Sequence, residues 1–471
     1  MIGKKIMADL GGRALGSAIL FISSIFLARI LSPEDFGIVA MVMVIISIAE
    51  TIVEVGFGSA IIQRLKVSEL ETSSAFYVNL LMGALISAAM FFSANLISQF
   101  YQQPELIRVV KWLSPIIFIG SLTTIQIALY NRKMKFETLS IINVISSLLA
   151  AIVAIIAAFK GAGFWALVIQ NGVMYTIRSI LIWAKSDWRP GLYFSFKSLK
   201  PVWRYSSNIF FAQAINMMFA RLDAILIAKY FQASALGFYN RAKALNDLTV
   251  QYSSGSLGKV MFPVLSAKQN DKQNFNMFFK ETYRVLSLTS IVVASVLYIT
   301  AQDLIVLIFT AKWITTAVYL QIIVFGIFFQ NANFIVAHTI KASGNSGVFL
   351  RAELVKKLLM TLAFIIGVNF GVEGIIYAYL SGKILAYMVS VILLIRQKIV
   401  GIKPVLLIPI KDMLFCIVPI LLSIILSDYA TGIAFIIGTT AIFIATLSIT
   451  HLLYPRRAIK TIISQILNFK K

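Results

Sequence analysis

Apolar residues in this chain fall into fourteen long runs, near 11–31, 37–62, 73–98, 107–130, 138–158, 163–184, 206–230, 237–262, 283–301, 317–339, 353–369, 373–395, 405–427 and 431–453. A hydrocarbon core about 30 Å thick needs roughly 20 apolar residues per helical crossing, so each run is a candidate span. With 59% hydrophobic and 13% charged residues, the chain is too apolar for water to surround most of it. The expectation is an all-α, polytopic membrane protein with 14 transmembrane helices.

An internal repeat organises the runs. Ala28-Arg29-Ile30-Leu31-Ser32-Pro33-Glu34-Asp35-Phe36-Gly37 returns in outline as Ala228-Lys229-Tyr230-Phe231-Gln232-Ala233-Ser234-Ala235-Leu236-Gly237. Alanine, a basic residue and glycine keep their spacing, and at the same offset Ser47, Thr51, Glu54 and Gly58 fall opposite Asp247, Gln251, Ser254 and Gly258. Six spans separate the copies. An even number brings the second copy in with the orientation of the first, so the expected architecture is two parallel six-helix bundles around a central cavity, plus two extra C-terminal helices. The expected boundaries are 1–184 for the first bundle, 185–205 for a linker, 206–400 for the second bundle, 401–454 for spans thirteen and fourteen, and 455–471 for a basic amphipathic tail. Aromatic and basic residues alternate in the linker, which suits the headgroup layer.

The net charge of +23 would point to nucleic acid in a soluble protein. Here it is explained by topology. With both termini in the cytoplasm, nearly all basic residues outside the spans lie on one side; the opposite loops hold only Arg108, Lys160 and Lys312 away from span ends. The first span follows a short polar start and serves as its own insertion signal. Cys416 is the single cysteine and falls in the thirteenth span, where packing is its expected role. No loop is long enough for a catalytic domain and no phosphate-binding GxxxxGK[ST] loop is present, so neither an enzyme nor a cofactor is expected.

Ionisable groups inside spans are costly and tend to face internal cavities. Span eight aligns Asn240, Lys243, Asp247, Gln251 and Ser254 on one face, and span two aligns Ser47, Glu50, Thr51 and Glu54. Span seven adds Gln213, Asn216, Arg221 and Asp223, span one Arg13, span ten Gln330 and Asn333, and span six Asn171, Tyr175 and Arg178. Arg241 lies near the end of its span. Glu50 and Glu54, one turn apart, fit a proton or cation site or an ordinary cavity lining. Arg29, Arg178, Lys229 and Lys383 fit snorkelling to an interface as well as a cavity. An Arg- and Lys-bearing cleft attracts anions, and amides and hydroxyls suit sugars.

Arg13-Ala-Leu-Gly, Leu27-Ala-Arg-Ile-Leu-Ser-Pro-Glu-Asp-Phe-Gly-Ile38, Glu54-Val-Gly-Phe-Gly-Ser-Ala60 and Ala235-Leu-Gly-Phe-Tyr-Asn-Arg-Ala242 together resemble the polysaccharide-transporter branch of the multidrug/oligosaccharidyl-lipid/polysaccharide exporter superfamily. Within that branch the chain is similar to the colanic-acid-exporter-like lipopolysaccharide biosynthesis proteins. The resemblance implies a flippase that carries an undecaprenyl-pyrophosphate-linked oligosaccharide across the bacterial inner membrane by alternating access. On that reading Arg13, Arg221, Arg241 and Lys243 hold the pyrophosphate, while Gln213, Asn216, Asn240, Gln251, Gln330 and Asn333 contact the glycan. Glu50, Glu54, Asp223 and Asp247 are then candidates for ion coupling. The implied partners are the lipid-linked sugar, membrane lipid, and polysaccharide polymerase and assembly proteins, with a monomer as the working unit. A cation-coupled multidrug exporter of the same superfamily is the alternative, and a membrane glycan polymerase or ligase a more distant one.

Overall fold

The computed structural model describes residues 2–453, except 55–56, 65–66, 256–260, 262–263, 267–270, 343–345 and 398. The side chains of 2–10, 13, 201–212, 272, 346, 348, 447 and 449–453 are likewise outside the description. Among the described residues the fold is all helical, without strands. The basic tail expected at 455–471 lies outside the described residues.

The chain divides into two compact units, Met1–Gly237 and Phe238–Lys471. In the first, α1 (Ile2–Ile30) and α2 (Pro33–Val53) form the opening hairpin, followed by α3 (Phe57–Gln63) and α4 (Glu69–Phe92). Four short helices follow, α5 (Ala94–Tyr101), α6 (Leu106–Leu113), α7 (Pro115–Ser121) and α8 (Thr124–Arg132). Then come α9 (Phe136–Phe159), α10 (Trp165–Lys185) and α11 (Phe196–Tyr230). Beyond α12 (Ala233–Val250), the second unit contains α13 (Lys272–Phe309), α14 (Ile314–Ile323), α15 (Gly326–Ala342), α16 (Ser346–Gly367), α17 (Gly371–Arg396), α18 (Ile402–Ser427) and α19 (Gly432–Leu453).

Every one of the fourteen apolar runs carries helix. Several helices outrun the apolar stretch that announced them: α13 extends well past 283–301, through the expected external loop as far as Phe309. The fourth run is broken into three short helices at Ser114 and at Leu122–Thr123. Within span eight a π-helical turn, Gln251–Gly255, follows the α-helix that stops at Val250. The outward faces carry uncovered Leu81, Leu85, Phe92, Ile141, Leu148, Leu358, Ile366 and Leu414, which in water would be an untenable apolar surface. Among the described residues, eight helical segments are long and apolar enough to cross a bilayer by themselves, and the bent pair α14–α15 makes a ninth. The protein is a multi-pass membrane protein.

Local chemistry explains the hairpin that begins the repeat. Ser32 accepts the Asp35 amide at 3.1 Å, Asp35 accepts the Ser32 amide at 2.8 Å, and Pro33 occupies the first helical turn. Ser-Pro-Glu-Asp thus stops α1 and starts α2 with its free amides satisfied. Ser32→Ala removes one of these bonds and is expected to lower stability by about 0.5–2 kcal/mol, readable as a fall in thermal midpoint of the detergent-solubilised protein. The second copy of the hairpin has no equivalent box, since Gln232 and Ala235 replace the pair.

The glycine shared by the copies serves a contact inside the first unit. A Cβ at Gly37 would run into the Ala233 carbonyl, and one at Gly237 into the Pro33 carbonyl. Each hairpin therefore presses its glycine against the backbone of the other turn. Close approach also governs α1 against α9, where a Cβ at Gly12 would strike Ser140 and one at Gly16 would sit 3.7 Å from Ser147 Oγ. Small residues replace hydrophobic driving force where lipid is the solvent.

The linker is docked onto the first unit. Gly191 and Ser195 donate their amides to Ser73 and Ser74 on α4, each at 3.0 Å, and Trp188 packs its ring edge against Phe76 at 6.0 Å. Its second half is the start of α11, so only 186–195 is irregular. Leu192, Tyr193, Phe194 and Phe196 project from it uncovered.

Candidate functional site

Within the first unit the apolar helices enclose a polar cavity of about 330 Å³. Span two supplies Glu50, Glu54, Gly58 and Ser59; the broken fourth run supplies Gly120, Ser121, Thr123, Thr124 and Asn131. From α10 come Tyr175 and Arg178, and from α11 Gln213. Helical periodicity gives each element its polar face: Glu50 and Glu54 are one turn apart on α2 and its C-cap, and Tyr175 and Arg178 are three apart on α10. The break around Leu122 matters too, since Ser121, Thr123 and Thr124 on either side of it line this space. Both Ser121 and Thr123 satisfy their hydroxyls on nearby backbone, at 2.7 Å to Phe118 and 3.0 Å to Gly120.

The electrostatics are those of an acidic pair beside one cation. The Tyr175 hydroxyl faces the Glu50 carboxylate, and the Arg178 charge acts on both Glu50 and Glu54. Arg178 Nε is buried and makes no hydrogen bond to the protein, as is Asn131 Oδ1. A buried donor and a buried acceptor left open in a polar cavity are groups that water or a ligand must satisfy. The site therefore offers carboxylates and a carbonyl to hydroxyl donors, and a guanidinium to an anion.

Of the residues assigned to substrate contact or ion coupling from the sequence, the cavity brings together Glu50, Glu54 and Gln213. Asn216 is exposed on α11, Arg221 is half-buried, and Asp223 is 2% exposed with Oδ1 accepting the Ala224 amide at 2.7 Å. None of these three lines the cavity. The Arg13 side chain is outside the description.

In the second unit, Lys243 Nζ lies 5.6 Å from the Tyr239 ring and 5.3 Å from the ring of Tyr379. Lys383 Nζ lies 4.7 Å from that same Tyr379 ring, so two ammonium groups converge on one aromatic face system. Asn240 and Arg241 are half-buried beside them in sequence, Asp247 accepts from Asn246 at 3.2 Å, and Gln251 is exposed in the π turn. Asn333 accepts the Ser390 hydroxyl at 2.7 Å, and Gln330 is half-buried. The neighbouring Asn331, which the span-ten pattern passed over, is the buried one: it donates to Ser253 at 2.9 Å and Ser290 at 2.8 Å.

Arg178, Tyr175, Thr123, Thr124 and Asn131 are the cavity residues that the sequence-level site left out. The signal for the first two was the spacing Asn171, Tyr175, Arg178 on one helix face, with a charge in the middle of an apolar run. No periodic signal marked the fourth run, because its helix breaks reset the phase.

Comparison with known proteins agrees with this fold. The sequence profile of the family described as "Polysaccharide biosynthesis protein" matches residues 26–318. The chain is similar to the teichuronic acid biosynthesis protein TuaB of Bacillus subtilis, with 26% identity over 58% of this chain and 57% of TuaB, so the match spans little more than half of that relative. It is similar to the lipopolysaccharide biosynthesis protein WzxC of Escherichia coli, with 24% identity over 79% of this chain and 76% of WzxC. Among solved structures, the lipid II flippase MurJ in an inward closed conformation superposes with a TM-score of 0.76 at 18% identity, covering 96% of this chain and 98% of that one. An inward-facing MATE multidrug transporter gives 0.62 at 14% identity, covering 83% and 98%. With the profile covering more than half its length, the chain belongs to the polysaccharide biosynthesis protein family.

Proposed function

We propose that the protein is a flippase that moves an undecaprenyl-pyrophosphate-linked oligosaccharide across the bacterial inner membrane by alternating access, with both termini in the cytoplasm. The observation that carries this reading is the polar cavity walled by lipid-facing helices, with hydroxyls, amides and carboxylates for sugar and one guanidinium for phosphate. The names of the relatives point the same way, being proteins of teichuronic acid and lipopolysaccharide biosynthesis and of succinoglycan transport. In this reading Glu50, Glu54, Gln213 and Tyr175 receive sugar hydroxyls. Arg178 joins Arg13, Arg221, Arg241 and Lys243 as a phosphate contact, and Lys383 supports Lys243. Asn216, Asn240, Gln251, Gln330 and Asn333 extend the glycan path, and Glu50, Glu54, Asp223 and Asp247 are the acidic groups available for ion coupling. The lipid tail stays in the bilayer, where its burial costs nothing.

A second reading draws on the acidic excess of the cavity, two carboxylates to one guanidinium, which suits a cationic drug. One experiment separates them: leaflet-resolved detection of the lipid-linked oligosaccharide in inverted and right-side-out vesicles from cells with and without the protein. The flippase reading expects the lipid to accumulate on the cytoplasmic leaflet in its absence. An unchanged leaflet distribution together with protein-dependent efflux of a cationic dye would replace it with the exporter.

A further inference from the structure

Helix α18 carries two prolines in its interior, Pro409 and Pro419. Each leaves the carbonyl four residues earlier without its helical donor. At Val405 that carbonyl is taken by the Tyr283 hydroxyl of α13 at 3.2 Å, and the same hydroxyl pairs with that of Tyr387 on α17 at 2.6 Å. Three helices are thus tied together at the point where α18 has lost backbone support.

Between the prolines sits Asp412, 3% exposed. Facing it from α13 are the Ser287 hydroxyl and the Arg284 guanidinium. Arg284 is shared with Glu281, at 3.8 Å. Glu281 Oε2 and Asp412 Oδ2 are both buried acceptors that receive no hydrogen bond from the protein. One guanidinium therefore stands against two carboxylates, each with an oxygen left open. The other titratable groups here are Tyr283 on α13, Tyr387 on α17, and Lys411 and Cys416 on Asp412's own helix.

Two fully ionised carboxylates in this position would leave one negative charge uncompensated, which an apolar interior tolerates poorly. A proton resolves this where a metal ion does not. A hard cation requires about six oxygen ligands, and a guanidinium beside the carboxylate repels it. The described residues hold no group of three or more His, Cys, Asp or Glu able to bind a metal. Protonation turns the open oxygen into a hydroxyl donor and releases Arg284 to Glu281.

We propose that Asp412 is a proton-binding site of the second unit, whose loading and release bias the bend of α18. Ionised, Asp412 draws Arg284 across from Glu281; protonated, it lets go. Because the prolines have already removed backbone hydrogen bonds on either side, this small change in charge acts where the helix resists bending least. The link to transport rests on the flippase reading, whereas proton binding does not.

The test is infrared difference spectroscopy on the full chain in lipid nanodiscs, titrated over about pH 4 to 9, with wild type, Asp412→Asn and Asp412→Glu. A protonated-carboxyl stretch that titrates in wild type, is lost in Asp412→Asn and returns at a shifted frequency in Asp412→Glu is the expected result. In flipping assays Asp412→Asn then loses its pH dependence and runs at the wild-type low-pH rate. A spectrum identical in wild type and Asp412→Asn overturns the proposal, as does a band that shifts when sodium replaces choline. Should Asp412→Asn fail to fold, an unshifted band in Asp412→Glu has the same force. A band that behaves as expected in a protein that moves no lipid-linked sugar upholds the proton site and removes the flippase reading instead.

Discussion

Arg178→Ala is expected to abolish flipping, lowering the initial rate in reconstituted vesicles by more than about tenfold, the equivalent of 1.4 kcal/mol or more of lost interaction. Arg178 brings the positive charge to a cavity whose carboxyls are Glu50 and Glu54. Its removal leaves two carboxylates a turn apart with no compensating charge from the cavity wall, which lowers stability as well as activity. Loss of activity and loss of stability therefore have to be separated. Arg178→Lys keeps the charge but not the planar fork that grips a phosphate from two directions, so it is expected to retain folding while flipping remains well below wild type. Glu54→Gln, nearly isosteric and exposed to the cavity, is expected to fold normally and to show whether the acidic pair takes part in transport. Rates measured alongside thermal unfolding midpoints check all three. Wild-type flipping by Arg178→Ala would remove the phosphate contact from this cavity.

The second large effect belongs to the repeated glycines. Gly37→Val and Gly237→Val are each expected to prevent assembly of the folded protein. A Cβ at either position meets a backbone carbonyl, which, unlike a side chain, cannot rotate away. Overpacking a well-filled core usually costs about 1–3 kcal/mol, and a branched side chain driven into backbone belongs at or above the upper end. The two sites share one contact, so the double variant should cost less than the sum of the singles. Gly172→Ala is the control. It lies in the middle of α10 with nothing within 4 Å of its would-be Cβ, and should be neutral or stabilising by up to about 1 kcal/mol. Monodispersity on size exclusion and the thermal midpoint give the readout. Well-folded Gly37→Val would mean that the hairpins do not meet as the structure places them.

Much of this protein was legible before any coordinates. Membrane residence and helical class follow from run length alone, because lipid offers the backbone no other hydrogen-bonding partner and so each apolar run must close its own ladder. The start of α2 could be read from Ser32, Pro33 and Asp35, since capping is decided within four residues. The repeat placed Gly37 and Gly237 at matching positions, and Gly161, Gly163 and Gly371, before spans six and twelve, adopt positive φ.

What required the tertiary structure was which polar faces meet. Periodicity put Glu50, Glu54 and Gln213 on the inner sides of their helices, but not opposite Tyr175, Arg178 and Asn131, because the rotation and depth of one helix against another depend on the small residues between them. Helix breaks hid the contribution of the fourth run, and Asn331 is buried where its neighbours Gln330 and Asn333 are only partly so. Asp412 is a single carboxyl in an apolar run, and its partners emerge only when Arg284, Ser287 and Glu281, more than a hundred residues away, are folded against it. Sequence determines which elements form and which of their faces avoid lipid, since those are local balances of hydrogen bonding and burial. The site is decided by packing, where distances between helices are set by contacts that no single stretch of chain contains.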